Sequence, residues 1–116
     1  MIHSYVKGDV IDVNLGNPPT EIKGHEQAKT RPCVVIKSFD SLGLVVVVPC
    51  TSKMPKYSLF TQVSLPKGSG GLTSDSYALC HQIRTVSHKR IVSIRGRLDH
   101  TNILRIHGVL IDILEL

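Results

Sequence analysis

The chain has 116 residues, 41% of them hydrophobic and 20% charged, and 14 Lys and Arg against 9 Asp and Glu give it a net charge of +5. That length holds one core but not two, and the composition is that of an ordinary globular domain, which excludes a multidomain or disordered chain. The charge points to anionic partners such as nucleic acid or an acidic protein, while the absence of Trp and the scarcity of Phe and Tyr exclude recognition by a long stack of bases.

The longest apolar run, residues 42–50, is too short to span a bilayer, and residues 1–7 lack the basic-then-apolar build of a signal peptide. Cys33, Cys50 and Cys80 are odd in number and widely spaced, so no disulfide framework is expected. These features predict a cytoplasmic protein with reduced thiols and no membrane partner. No repeat or low-complexity tract divides the sequence, and residues 1–116 read as a single domain.

Short β-branched segments recur between turn signals, the pattern of a small β-sheet or barrel. Residues 6–15 read as a first strand, with Gly8 as a bulge or bend. Asn17-Pro18-Pro19 ends it and opens a long polar loop. Residues 33–38 and 44–50 form the next two strands, joined by a turn through Asp40, Ser41 and Gly43. The four valines at 45–48 do not alternate with polar residues, which predicts a strand covered on both faces. Residues 59–65 alternate again, and the glycine-rich stretch 67–71 reads as a flexible connection. Residues 76–86 read as one further strand and 91–98 as the last.

From Asp99 the period becomes helical, with Asp99 as N-cap. Ile103, His107, Leu110, Ile111 and Leu114 fall on one face, broadened by Ile106, Val109 and Ile113. Gly108 inside this helix costs about 1 kcal/mol relative to Ala, which predicts close packing there. The architecture expected is mainly β: a twisted, partly closed barrel with one C-terminal α-helix against it.

The loop that enters the second strand, Gly24-His25-Glu26-Gln27-Ala28-Lys29-Thr30-Arg31-Pro32, carries proton-transfer and phosphate-binding groups. Pro32 restricts Arg31 to an extended backbone, and a fixed guanidinium suits phosphate recognition. His25-Glu26 begins like a zinc-peptidase motif, but Lys29 stands where the second His is required, so no metal site is expected. The 67–71 stretch lacks the order of a P-loop, and the cysteines sit in apolar strands where they act as small core residues.

Consecutive strands usually pair, and in an antiparallel pair the start of one lies beside the end of the next. Arg31 is therefore expected near Thr51, Ser52 and Lys53, together with His25, Glu26 and Gln27. Residues 80–84 supply a third group, in which alternation puts His81 and Ile83 on one face and Gln82 and Arg84 on the other. Singly, each has a plainer explanation: Thr51 and Ser52 as a turn, Arg84 as a partner of Asp75, Glu26 as solvated surface. Convergence at one edge is what points to metal-free RNA cleavage, with Arg31 and hydroxyls on a phosphate and His or Glu moving protons.

Taken in order, these motifs resemble the MazF/PemK toxin family, including its Kid-like members, over nearly the whole chain. Lys7-Gly8-Asp9-Val10 resembles its opening strand, and Gly24-His25-Glu26-Gln27 with Arg31-Pro32 its signature loop. Val48-Pro49-Cys50-Thr51-Ser52 resembles the second motif, Gln82-Ile83-Arg84-Thr85 the third, and Leu98-Asp99 with its helix the ending. The resemblance implies an SH3-like partly closed barrel of about five to seven strands that forms a homodimer. It implies the toxin of a type II toxin–antitoxin system: a cofactor-free endoribonuclease that cuts single-stranded RNA, mRNA included, and inhibits growth. The products implied are a 2′,3′-cyclic phosphate and a 5′-hydroxyl. A cognate antitoxin with an extended, acidic segment in the RNA groove is implied as partner.

The family's essential Arg and Thr match Arg31 and Thr51, and its loop histidine matches His25. In the Kid-like branch a third-motif Arg and Asp, two residues apart, form the proposed acid–base pair; here those positions hold Leu79 and His81. Leu79 cannot act as an acid, and His81 has the ordinary pKa of about 6.5 that suits proton transfer. The expected catalytic set is thus Arg31, Thr51, His25, Glu26 and His81, with general base and acid unassigned among the last three. Gln27, Lys29, Thr30, Ser52, Lys53, Gln82 and Arg84 are the expected RNA-binding residues. Two other readings fit such a barrel: a CcdB-like toxin that binds DNA gyrase without catalysis, and a non-cleaving RNA- or DNA-binding regulator.

Overall fold

Residues 4–16, 29–53 and 60–116 are described in the computed structural model of the chain. Among them, seven strands and one helix follow in order: β1 (Asp9–Asn14), β2 (Thr30–Phe39), β3 (Leu44–Thr51), β4 (Gln62–Leu65), β5 (Ser76–Leu79), β6 (Arg84–Ser87), β7 (Ile91–Arg97) and α1 (His100–Leu114). All pairings are antiparallel, in the order β4-β5-β3-β2-β1-β7, with β6 also on β3. The two ends of that order do not pair, so the sheet curls without closing. This is the mainly β, partly closed architecture with a C-terminal helix that the sequence predicts. No helix among the described residues is long and apolar enough to cross a membrane.

The valine strand is covered on both sides, as its lack of alternation implies. Val48 and Cys50 join Val10, Val34, Val63 and Leu65 in one core, which α1 covers through Ile106 and Leu110. Val45 and Val47 join Ile11, Val13, Cys33 and Val35 in a second core on the opposite face. A strand buried on both faces has no polar positions to spare, and this is why β3 reads as a continuous apolar run.

One expected strand is divided. Residues 76–86 do not run straight, because β3 changes partner along its length: Val47 pairs with Arg84 on β6, and Cys50 with Ala78 on β5. Three residues advance on β3 while six pass on its neighbour. The surplus is taken up by a 3-10 turn, Cys80–Gln82, in which Cys80 N–H donates to the Thr61 carbonyl and Ile83 N–H to that of Cys80. The alternation that placed His81 with Ile83, and Gln82 with Arg84, therefore does not hold. His81 projects from this corner into solvent.

The glycine-rich connection also differs from a loose link. Ser69–Gly71 forms a 3-10 turn against β7, and the Asp75 carboxylate accepts the Lys67 N–H at 2.8 Å. Of the other strands, β1 and β4 are shorter than the expected 6–15 and 59–65, with Leu59 outside the described residues, β2 is longer than 33–38, and β3 and β7 each differ by one residue. The 39–44 connection is a 3-10 turn, Asp40–Leu42, closed by Gly43 at φ +64, and Gly8 bends the chain into β1 at φ +96.

The helix starts where its cap predicts, with Asn102 N–H donating to Asp99 Oδ1 at 2.8 Å. Its buried face, however, is centred on Ile106 and Leu110, flanked by Ile103, Val109 and Ile113. Ile111 and Leu114 point outward, since the apolar stripe is wider than one buried face and packing selects which part is covered, whereas His107 lies at the edge of the buried face, its Nδ1 2.7 Å from Lys7 Nζ. Gly108 lies on that outer side with open space around it, so close packing is not the reason for a glycine there.

Candidate nucleic-acid interface

The ladder between β2 and β3 brings together the ends that carry Arg31 and Thr51. Cys33 pairs with Pro49, and the same register continued by two residues sets Arg31 opposite Thr51. Alternation from Cys33 and Val35, and from Val45 and Val47, puts both on the side of the second core. Directly opposed residues on one face approach closely enough to share a ligand. Arg31 is exposed and Thr51 half-buried. The Thr51 hydroxyl oxygen accepts the Lys53 N–H at 3.1 Å, which turns the chain at Ser52 and leaves the hydroxyl proton for another acceptor.

The chain on either side of residues 17–28 is fastened on the same side. Leu15 N–H donates to the Lys29 carbonyl at 2.9 Å and Lys29 N–H to that of Gly16 at 2.6 Å, with Lys29 in the left-handed region at φ +64. Arg84 reaches the Leu15 carbonyl at 3.5 Å and Arg90 the Asn14 carbonyl at 3.1 Å. Two guanidiniums thus sit at the end of β1. His25, Glu26 and Gln27 lie outside the described residues.

On the other side of the same strand ends lies a cavity of about 200 Å³. Thr30, Arg31, Pro32, Cys50 and Ser52 form its strand wall. Leu72, Thr73, Ser74 and Ser76, from the segment leading into β5, and Arg95 of β7 form the rest. Arg95 is held in place: its Nε donates to Asp12 Oδ1 at 2.7 Å, and Ser93 Oγ donates to Asp12 Oδ2 at 2.7 Å. The register explains the meeting, since Asp12 pairs with Pro32 on one side and Ser93 on the other.

Of the expected site residues, Arg31, Thr51, Ser52, Lys53, Thr30 and Lys29 thus share one end of the sheet, and Arg84 joins them through Leu15. His81 and Gln82 stand on the 80–82 corner and line no part of the cavity. Arg95, its brace Asp12 and the hydroxyls of Thr73 and Ser74 were not foreseen. The signal available was an acidic residue between the apolar Ile11 and Val13 of the first strand and a basic one in the last. It becomes legible only when β1 and β7 are known to pair.

The cysteines are core residues, as expected. Burial pushes the Cys33 thiol far above its ordinary value, Cys50 up to about 12 and Cys80 up to about 11. Neighbouring thiols add to the effect at Cys33 and Cys50. None of the three provides a nucleophile near neutral pH.

A family model described as PemK-like, MazF-like toxin of type II toxin–antitoxin system matches residues 6–114. Among solved structures, the chain is similar to MazF from Deinococcus radiodurans, at 22% identity and a TM-score of 0.80, covering 98% of this chain and 99% of that one. It is similar also to an endoribonuclease in complex with its cognate antitoxin from a mycobacterial species, at 19% identity and TM-score 0.72 over 97% of each chain. Toxin MazF-mt6 of Mycobacterium tuberculosis matches at 16% identity and TM-score 0.70, covering 93% of this chain and 97% of that one. These structures share the fold, and the match of the family model over residues 6–114 shows that the chain belongs to the PemK-like, MazF-like toxins of type II toxin–antitoxin systems.

Proposed function

We propose that this toxin is a metal-independent endoribonuclease that cleaves single-stranded RNA, including mRNA, in the cytoplasm and so inhibits growth. The observation that carries the reading is the β2–β3 register, in which Cys33 pairs with Pro49; continued by two residues, it brings Arg31 across from Thr51 on one face. In the reaction the 2′-oxygen attacks the adjacent phosphorus while a base takes its proton. The bond from phosphorus to the 5′-oxygen breaks, and an acid protonates that oxygen, leaving a 2′,3′-cyclic phosphate and a 5′-hydroxyl. Arg31 stabilises the charge gathering on the phosphoryl oxygens; with a pKa above about 12 it is a poor proton donor. Thr51 donates its hydroxyl proton to a phosphoryl oxygen and orients the group. His25, Glu26 and His81 are the groups available for proton transfer. Gln27, Lys29, Thr30, Ser52, Lys53, Gln82 and Arg84 hold the RNA strand.

The protein works as a homodimer and is silenced by a cognate antitoxin whose extended acidic segment occupies the RNA groove. A relative solved with its antitoxin and the positive net charge of this chain support that part. The test is incubation with mixed-sequence RNA in excess EDTA, followed on gels. Wild type is expected to cut and leave cyclic phosphate ends, whereas folded Arg31→Ala and Thr51→Ala lose cleavage. Undiminished cutting by both variants removes the site. Growth arrest without RNA cleavage would turn attention to a gyrase-binding or regulatory role.

A further inference from the structure

We propose that the cavity behind the Arg31–Thr51 face is a second phosphate site on the same RNA strand, with Arg95 as its cation; this rests on the ribonuclease reading. Three observations converge on an anion. Among the described residues the cavity wall carries the hydroxyl residues Ser52, Thr73 and Ser74 and no carboxylate. Arg95 is fixed by Asp12 through Nε alone, while Ser93 occupies the second carboxylate oxygen. Its two terminal amino groups make no hydrogen bond among the described residues, which leaves the forked end that best fits phosphate.

Position says which phosphate. Thr51 ends β3 and Ser52, in the turn that follows it, lines the cavity, so a strand held on Thr51 by its cleaved phosphate has a neighbouring one beside Ser52. Arg31 and Pro32 line the cavity from the neighbouring strand. The occupant is the phosphate next to the scissile bond. Arg97 offers an internal comparison on the same strand. It is paired with Asp9 at 3.0 Å, its side chain is 60% exposed, and it lines no part of the cavity.

The experiment uses a short oligoribonucleotide containing the sequence preferentially cut in mixed RNA, and its uncleavable 2′-O-methyl version for binding by fluorescence anisotropy. Arg95→Ala is expected to raise KM and the dissociation constant by about tenfold to a hundredfold with kcat little changed, as loss of one charge-assisted contact implies. It should lower the salt slope of binding by about one. Arg95→Lys should recover part of the affinity, and Arg97→Ala should match wild type.

A methylphosphonate placed in turn on each side of the cleaved bond locates the contact. At one position it should weaken wild type as much as Arg95→Ala does, and the two changes together should cost no more than either alone. Wild-type affinity and salt slope in both folded Arg95 variants overturn the proposal. So does full multiplication of the two effects at both positions. An effect of Arg95→Ala that disappears only when a neighbouring base is removed overturns it in favour of a base pocket. Arg31→Ala, read by kcat on the cleavable RNA, reports separately on the ribonuclease reading, because the binding arm does not need cleavage.

Discussion

Gly71 packs so closely on the backbone of Arg95 that a side-chain carbon at Gly71 would stand 2.5 Å from the Arg95 carbonyl oxygen. The contact fastens the 69–71 turn to β7, and with it the Leu72–Ser74 wall of the cavity. A backbone atom cannot swing aside, and Gly71 also holds φ at +80, where other residues are strained. Gly71→Ala is expected to destabilise the protein by roughly 2–4 kcal/mol. Gly43→Ala is the comparison: it has φ +64 but nothing within 4 Å. Only the backbone cost of about 1–2 kcal/mol should appear there. Urea unfolding of the two variants separates these costs, and equal losses would mean the Arg95 contact contributes nothing.

The Thr51 hydroxyl has two tasks that substitution can separate. Its oxygen accepts the Lys53 N–H, and its proton is free for a phosphoryl oxygen. Thr51→Ser keeps both and should retain activity within about tenfold, whereas isosteric Thr51→Val should lose about 10²–10³ in kcat. The turn at Lys53 is exposed, so stability should change little in either case. Steady-state cleavage of one defined RNA checks this, and a fully active valine variant would remove the hydroxyl from the reaction.

Stability should fall at alkaline pH. All three thiols are held protonated by burial, Cys50 up to about 12 and Cys80 up to about 11. A raised folded pKa contributes stability that is fully present below the unfolded value and is lost as pH rises toward the folded one. Above about pH 9 the unfolded chain releases protons that the folded chain keeps, and each buried thiol then costs roughly 1–2 kcal/mol by pH 10. Urea titrations at pH 7.5 and pH 10 should show this, with a smaller loss in Cys50→Ala. Thiol reagents should label the native protein slowly and the unfolded protein at once.

The helix cap is a local test. Asp99 Oδ1 accepts the Asn102 N–H, and Asp99→Ala should cost about 1 kcal/mol, with Asp99→Asn nearly neutral. A drop in melting temperature for the alanine variant alone confirms the cap. RNA cleavage should be unaffected, because α1 covers the first core and contributes no residue to the cavity at the strand ends.

What could be read from the residues themselves was whatever depends on near neighbours. The non-alternating valines meant a strand with two covered faces, and the shift of period at Asp99 meant a capped helix. The order of β2 and β3 brought Arg31 and Thr51 to one end, because antiparallel neighbours need only a short turn. Motif order pointed to the toxin family for the same reason: it is a property of the chain taken in line. Tertiary structure decided the rest. The 80–82 corner arises from β3 having two successive partners, which no local pattern records. The face of α1 that is buried depends on what it packs against, since its apolar stripe exceeds one face. Arg95 enters the site only because the first and last strands pair, joining Asp12 to a residue 83 positions away. Local patterns report the geometry of one element, whereas contacts between distant elements exist only once the sheet has curled.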